Sequence, residues 1–364
     1  MKALVIGGAT IDVITSINSH DIEQITMHNA TNSFLLMEQG KKIEASRIDS
    51  QIGGGATNAA VAMARMGGHI RALLKVGLDA DGNSVIAKLK GEKIDTRYVF
   101  RNKNEPTGKS IIISSHDRNS GIFVNRGANT TLDDEDITAQ MFKGMDLVYV
   151  STLSGGSTNV FVKTVRLAKE AGAFVACNPG IRQLRRRCTQ VIEACQWIDM
   201  FALNHDEACA FAEGLPSIEK TDGYVVQNQA IPTLLETGLC DSGYPVSLHG
   251  FINTIHTLGP KYIVITDGAN GAYLGLDNTV LYRPCIPCDV ETTIGVGDAF
   301  NATFATAIVT RQSALNALNM AAVNAASVAS TLDTQSGLMS LENIQKELIT
   351  MDVSAIQSFA LKQS

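Results

Sequence analysis

A chain of 364 residues with 45 % hydrophobic and 18 % charged side chains has ample material for a large folded core and is unlike a disordered polymer. Its formal net charge of −6 argues against nucleic acid as a partner. No stretch approaches the roughly 18 apolar residues of a membrane span, and Asp12 interrupts the short apolar start before a signal-peptide core could form, so a cytoplasmic protein is expected.

The first predicted element is a buried strand, Ala3-Leu4-Val5-Ile6, ending in Gly7-Gly8 with Asp12 shortly after. In open α/β sheets ligands collect beyond the carboxyl ends of strands, so Asp12 is a candidate for a ligand crevice, against the plainer reading of a turn or capping aspartate. Gly53-Gly54-Gly55-Ala56-Thr57-Asn58 then leads into a helix of small residues closed by Gly67-Gly68. Three glycines permit a ligand to touch backbone, and the Asn58 amide offers a donor and an acceptor at the helix mouth. Asp12 and Asn58 together could hydrogen-bond a polyol.

Two regions, 12–51 and 98–124, break the later rhythm of strand and helix. Both contain alternating stretches such as Lys109-Ser110-Ile111-Ile112-Ile113-Ser114, which predict strands half exposed to solvent. Gly108-Lys109-Ser110 imitates the end of a phosphate-binding P-loop, but Lys103 stands where its first glycine belongs. A dinucleotide fingerprint at Gly53-x-Gly55-x-x-Asn58 fails too, because the third glycine is missing.

Continuous apolar strands are predicted at Leu147–Val150, Phe174–Cys177, Met200–Leu203 and Tyr262–Ile265, with helices between them such as Asn159–Gly172 and Asp206–Glu213. That alternation implies a parallel sheet covered on both faces. The basic run Arg182 to Arg187 follows Asn178-Pro179-Gly180 and is either a solvated helix start or a nucleotide-phosphate contact. Residues 220–256 look like an insertion. Seven cysteines, an odd and scattered set, fit reduced thiols, and Cys285-x-x-Cys288 lacks the second pair that a structural zinc site needs.

Thr292-Thr293-Ile294-Gly295-Val296-Gly297-Asp298 is the most informative segment, running into the apolar helix 299–309. Backbone amides of Gly295, Val296 and Gly297 would converge on an anion at that helix's N-terminus, where the dipole also favours negative charge. Asp298 adds a proton acceptor beside them. Such a pairing suits phosphoryl transfer to a hydroxyl; the alternative is a glycine-rich turn before a core helix.

Taken in order, these motifs resemble the ribokinase-like (phosphofructokinase-B type) carbohydrate and nucleoside kinases over nearly the whole chain. Gly7 to Asp12 and Gly53 to Asn58 match the early elements, and Val76-Gly77-Leu78-Asp79-Ala80-Asp81-Gly82 the family's glycine-aspartate turn. Pro106-Thr107-Gly108 and Arg126-Gly127-Ala128-Asn129 resemble the segments flanking its lid. Asn204-x-x-Glu207, Thr266-x-Gly268-x-x-Gly271 and Gly295-x-Gly297-Asp298 follow.

The resemblance implies one domain over 1–364, a three-layer α/β sandwich with a mostly parallel central sheet flanked by helices. A small β lid over about 13–51 and 98–125 would cover the acceptor and join two copies into a homodimer. It implies transfer of the γ-phosphoryl group of ATP to a sugar hydroxyl, with Asp298 as base. Asp12, Gly54, Gly55, Asn58 and Asn129 would hold the acceptor. Thr266, Gly268, Gly271, Asn178, Asn204 and Asn324 would hold ATP, and Glu207 would organise Mg²⁺, through water.

Departures narrow these implications. Thr292 replaces the aspartate that often helps to bind an activating monovalent cation in the family, which leaves potassium activation open. Gly55 replaces the lysine of ribokinases proper, and Ser151-Thr152-Leu153 occupies the place of their ribose-binding glutamate. A nucleoside kinase, or a non-catalytic sugar- or nucleotide-binding relative, are the alternatives.

Overall fold

Every side chain of Ala3-Leu4-Val5-Ile6 is inaccessible to solvent, Ala3 and Val5 on one face and Leu4 and Ile6 on the other. A strand dry on both faces must lie in the middle of a sheet with a layer on either side. The computed structural model describes residues 1–17, 23–26, 33–36, 40, 42–114, 120–218, 230–239, 246–351 and 355–360, and it has that arrangement.

The strands are β1 (Lys2–Ile6), β2 (Thr10–Ile17), β3 (Glu23–Thr26), β4 (Ser33–Leu36), β5 (Ala45–Gly53), β6 (His69–Gly77), β7 (Asp95–Asn102) and β8 (Gly108–Ser114). They continue with β9 (Ser120–Asn125), β10 (Leu147–Val150), β11 (Phe174–Cys177), β12 (Met200–Asn204), β13 (Tyr262–Thr266), β14 (Ala272–Leu276), β15 (Thr279–Arg283) and β16 (Gln357–Ala360). The large sheet has the order β16-β15-β14-β13-β12-β11-β10-β1-β6-β7. From β13 to β7 every pairing is parallel; the β14, β15 and β16 side is antiparallel. Parallel strands bring all their carboxyl ends to one edge, which places Gly7, Ser151, Asn178, Asn204 and Thr266 along a single rim.

Helices cover both faces. Gly55–Arg65, Val296–Val309 and Ala314–Ala329 pack on the face that carries Val5 and Tyr149, and Phe161–Glu170, His205–Ala212 and Leu248–Leu258 on the face that carries Ile6 and Val150. The first of these ends in the predicted glycine cap: Gly67 N–H donates to Ala64 and Gly68 N–H to Met63, with Gly67 at φ +88°. A second sheet, β5-β2-β8-β9, stands apart from the large one. Its β8 alternates as expected, Ile112 being 3 % exposed and its neighbour Ile111 44 %.

Two expectations change. The lid was expected to resume near residue 98, but β7 runs parallel to β6 at the edge of the large sheet, and the lid sheet resumes at Gly108. The region 220–256 is not all insertion: Leu248–Leu258 is a crossover helix whose Phe251, Ile252 and Ile255 are fully buried. Residues 230–239 of that region carry a short helix, Thr233–Thr237, with Leu234 and Leu235 buried, while 220–229 and 240–245, and part of the expected lid stretch 13–51, lie outside the described residues.

Phe304, fully buried on the Val296–Val309 helix, meets Tyr262 edge-on at a centroid distance of 6.1 Å. Phe304→Ala is expected to lower unfolding free energy by about 3–5 kcal/mol, the range for emptying an aromatic core site. Urea denaturation monitored by circular dichroism measures it; a loss below about 1 kcal/mol contradicts the packing described.

Candidate active site

Asp298 lies in the first turn of the Val296–Val309 helix, whose N-cap is Gly295. Gly295 adopts φ +78°, and a Cβ there would come within 2.7 Å of Thr334 Cβ, so glycine is required by both conformation and space. Gly297 differs: a Cβ would meet nothing within 4 Å, and its φ is ordinary. Its openness belongs to the cleft rather than to the fold. No side chain caps this helix, so the amides at its mouth stay available to an anion.

The Asp298 carboxyl accepts a hydrogen bond from Asn58 Nδ2 at 2.9 Å. Asn58 is itself fixed, its Oδ1 accepting from Thr334 Oγ1 and Gln335 Nε2, each at 3.0 Å. Burial pushes the Asp298 pKa up to about 6, the Asn58 bond opposes the rise, and the charge of Asp12 adds to it.

Asp12, on β2, is 6 % exposed and accepts from Ser110 Oγ on the neighbouring β8. Burial raises its pKa, against hydrogen bonds from Ser110 and Thr10. Two carboxyls from opposite sides of the cleft are thus close enough to repel. Gly54, at φ +98°, caps the Gly55–Arg65 helix. At Gly55 a Cβ would collide with Ser151 Oγ and stand 3.1 Å from Asp298 Oδ1, so no lysine fits in this chain.

Two expected acceptor contacts are occupied otherwise. Asn58 is the support of Asp298. Asn129, 8 % exposed, exchanges hydrogen bonds of 2.9 and 2.7 Å with the backbone of Ala9 and so ties Arg126-Gly127-Ala128-Asn129 to the start of β2.

Across the rim, Asn204 and Glu207 form a reciprocal cap of the His205–Ala212 helix, with bonds of 2.8 and 3.0 Å. Asn178 Nδ2 donates to Ala202 O at 2.9 Å and reaches Glu207 Oε2 at 3.5 Å. Burial pushes Glu207 up to about 7, partly offset by the Asn204 and Asn178 bonds, with Asp298 and Asp206 adding repulsion. The Thr266 loop leaves Gly268 facing open space, while Gly271, at φ +99°, packs against the backbone of Arg283. Asn324 is not brought to the surface of this cleft. Fully buried, it donates to Thr303 Oγ1 at 2.7 Å and accepts from Met339 N at 2.9 Å.

Thr334 and Gln335, which carry no sequence signal, complete the site with Ser110 and Ser151. A separate cavity of about 380 Å³ lies between Ile286, Cys288, Val323, Ser327 and Met339. Cys285 and Cys288 are both free thiols. Another cavity, of about 550 Å³, is lined by Arg126 and by Arg182, Arg186 and Arg187 of the basic run. Arg182 is exposed, as a solvated helix start would be, and it lines this cavity.

A glycine-rich helix start carrying a part-buried carboxylate in its first turn, on the rim of a parallel sheet with a small β lid, is an arrangement suited to phosphoryl transfer. Residues 19–235 and 236–340 match the profile of the pfkB family of carbohydrate kinases, and the chain belongs to that family. It is 26 % identical over 352 residues to deoxyribokinase of Salmonella typhi, covering 96 % of this chain and 99 % of that enzyme. It is 23 % identical to the ribokinase of Staphylococcus aureus over 77 % of this chain and 84 % of the other. The fold superposes on Arabidopsis thaliana ribokinase complexed with ribose and ATP with a TM-score of 0.71 at 20 % identity, covering 96 % and 99 % of the two chains. A nucleoside kinase of Methanocaldococcus jannaschii gives 0.71 at 17 % identity, covering 96 % and 98 %.

The contrast between the two glycines is testable. Gly297→Ala is expected to keep the wild-type melting temperature while turnover falls at least about 100-fold, as when oxyanion donors are obstructed. Gly295→Ala is expected to destabilise by at least about 1 kcal/mol through its left-handed backbone. Melting curves and initial rates on the same preparations decide it; a destabilised Gly297→Ala would place that glycine in the fold instead.

Proposed function

We propose that the protein transfers the γ-phosphoryl group of ATP to a hydroxyl of a small sugar, with Asp298 as the proton acceptor. The observation that carries this reading is the Asp298 carboxyl beside an uncapped helix mouth, tied to Asn58 and facing Asp12 across the cleft. Amides of Gly295, Val296 and Gly297 would stabilise the oxygens of the transferring group. Because the transition state is loose, Asp298 takes the hydroxyl proton late. Asp12 would hold acceptor hydroxyls, with the backbone of Gly54 and Gly55 forming the floor.

Asn178, Asn204, Thr266, Gly268 and Gly271 occupy the rim where the nucleotide phosphates would lie. The apolar cavity at Ile286, Val323 and Met339 offers a slot for the base, and Asn324 supports its wall by holding Met339. Among the described residues no group of three or more His, Cys, Asp or Glu could hold a metal. Magnesium needs no such cage, since it keeps waters and phosphate oxygens and asks for one or two carboxylates. Glu207, a buried carboxyl pushed up to about 7 with neighbouring acids, fits that request through water. When bound, the ion would neutralise phosphate charge. At Thr292, Oγ1 accepts from Ile294 N at 3.1 Å, a local turn in the position of the family's aspartate, and no step is assigned to potassium.

The same reading places the protein in the cytoplasm, with ATP. Among the described residues no helix is long and apolar enough to cross a membrane. It also includes a homodimer through the lid, supported by Ile48, Ile111, Ile122, Phe123 and Val124, which the lid leaves 44–66 % exposed.

Asp298→Asn is expected to lower kcat by roughly 10²–10⁴-fold with ATP affinity within a few-fold, the signature of losing a general base. In the wild type at saturating magnesium, kcat/KM should fall about tenfold per pH unit below about 6, where Asp298 becomes protonated. Stability responds in the opposite sense. An acid whose folded pKa lies above its ordinary 3.8 loses stability for the fold as pH rises toward about 6, and that loss persists above it. Asp298→Asn therefore melts higher than wild type at pH 8, with the gap closing toward pH 4. Near-wild-type turnover, or a gap that grows on acidification, removes Asp298 from this role.

Asp12→Ala is expected to raise the acceptor KM at least about tenfold, with ATP affinity and melting temperature unchanged. Steady-state kinetics against each substrate and a melting curve measure it. A lower melting temperature with normal acceptor KM would make Asp12 a structural turn residue.

A further inference from the structure

The cavity of about 550 Å³ adjoins the site on its lid side. Thr152, on its wall, follows Ser151, the residue against which Gly55 packs, and Glu207 at its other end senses the charge of Asp298. Four arginines line this space, and two of them, Arg126 and Arg182, are close enough to repel each other. Arg126, at the root of the lid, is half-buried and donates to Ser154 Oγ at 2.8 Å. Arg182 comes from the segment after β11. Among the described residues neither pairs with a carboxylate. Their mutual repulsion, added to the larger effect of burial, lowers the Arg126 pKa.

Guanidiniums gathered in a cleft without counter-charge are unfavourable unless an anion arrives to bind them. The one carboxyl on the wall, Glu207, is engaged in the cap of the His205–Ala212 helix, accepting from Asn204 N–H at 3.0 Å, and pairs with neither guanidinium. Thr152 and Thr158 line the same cavity; their hydroxyls donate to the carbonyls of Asn178 and Gly155 and keep lone pairs that can accept from a ligand hydroxyl. The wall therefore asks for a molecule with both an anionic group and hydroxyls. A neutral pentose would leave Arg126 and Arg182 facing each other unanswered. The Thr266 loop and the Ala314–Ala329 helix contribute nothing to the lining, which sets this cavity apart from the proposed base and loop contacts of the nucleotide.

We propose that the acceptor is an anionic sugar, a sugar carboxylate or a sugar phosphate, whose charged group is bound by Arg126 and Arg182 while its hydroxyl faces Asp298. This rests on the reading of Asp298 as the acceptor-side base. The transfer itself is unchanged: the acceptor oxygen bonds to the γ-phosphorus, the bridging bond to ADP breaks, and the hydroxyl proton passes to Asp298.

Matched probes test it: fructose 6-phosphate against fructose, and gluconate against glucitol. Binding is read by calorimetry and phosphorylation by ADP release, in the wild type, in Arg126→Gln and in Arg126→Gln/Arg182→Gln. One anionic member is expected to bind at least about tenfold more tightly than its neutral partner. That preference should fall about 10- to 100-fold in the double variant, as expected on losing hydrogen bonds to a charged group, with ATP affinity intact. Which pair shows the preference tells phosphate from carboxylate.

Equal binding within both pairs, no binding of either anion, or a preference that survives the double substitution overturns the proposal. So does a loss of ATP affinity in place of acceptor affinity, which would assign the arginines to the nucleotide phosphates. Phosphorylation of a neutral sugar alone would sink this inference and leave the kinase reading standing. Arginine-dependent anion binding with no ADP from any acceptor would do the reverse.

Discussion

An ionisable carboxyl half-buried in a cleft depends on whatever hydrogen bonds it is given, and for Asp298 the bond that matters comes from Asn58. That amide is not free to turn, because Thr334 and Gln335 hold its oxygen. The 334–338 loop is held in turn by Arg65, whose Nη1 donates to the carbonyls of Gln335 and Leu338 at 2.7 and 2.8 Å. Arg65 is clamped by Glu92 through a two-pronged ion pair. Asn58 and Arg65 lie near opposite ends of one helix, Gly55–Arg65, so that helix fixes Asp298 directly and also fixes the loop that orients Asn58. Small side chains make the arrangement possible. Ala56, Ala59, Ala60 and Ala62 are fully buried, as are Ala299 and Ala302 on the facing helix, and bulkier residues would hold the two helix starts apart.

Much of this was legible in the sequence wherever the causal pattern is local. Uninterrupted apolar runs give strands buried on both faces, and β10 to β13 follow such runs to within a residue. Gly295 and Gly297 flagged a helix start open to an anion because backbone freedom is written in the residue itself. The order of short motifs along the chain then gave the family and the strand rim on which they sit.

Partnerships across the chain were not legible. Asn58 was expected to face a ligand, yet its partners lie 240, 276 and 277 residues away, where no periodicity reaches. Asn-x-x-Glu at 204–207 is written the same way whether it meets phosphate or closes a helix cap, and here its side chains demonstrably do the second. Asn129 and Asn324 are polar residues whose burial was invisible until the backbones they satisfy were in place. The lid boundary near 98 misled because an edge strand of a large sheet is half wet along its length and so lacks the continuous apolar run of the inner strands.

One electrostatic feature links both halves of the cleft. Asp12, Asp298 and Glu207 are all raised, each first by burial, and Asp298 is raised further by Asp12 while Glu207 is raised further by Asp298. An empty cleft of this kind resists ionising all its acids together, because each charge formed makes the next harder. A hydroxyl donated to Asp12, or a cation brought near Glu207, favours the ionised form at its own end and changes the field at Asp298 between them. The two ligands are then coupled through the acid that neither needs to touch first. Such coupling is a difference in binding free energy and must be reciprocal, so whatever a metal nucleotide does to acceptor affinity, the acceptor does equally in return. Asp298, the side chain placed to feel both ends, is held by an amide that is itself fixed, so its response to either charge is set by the field and not by rearrangement.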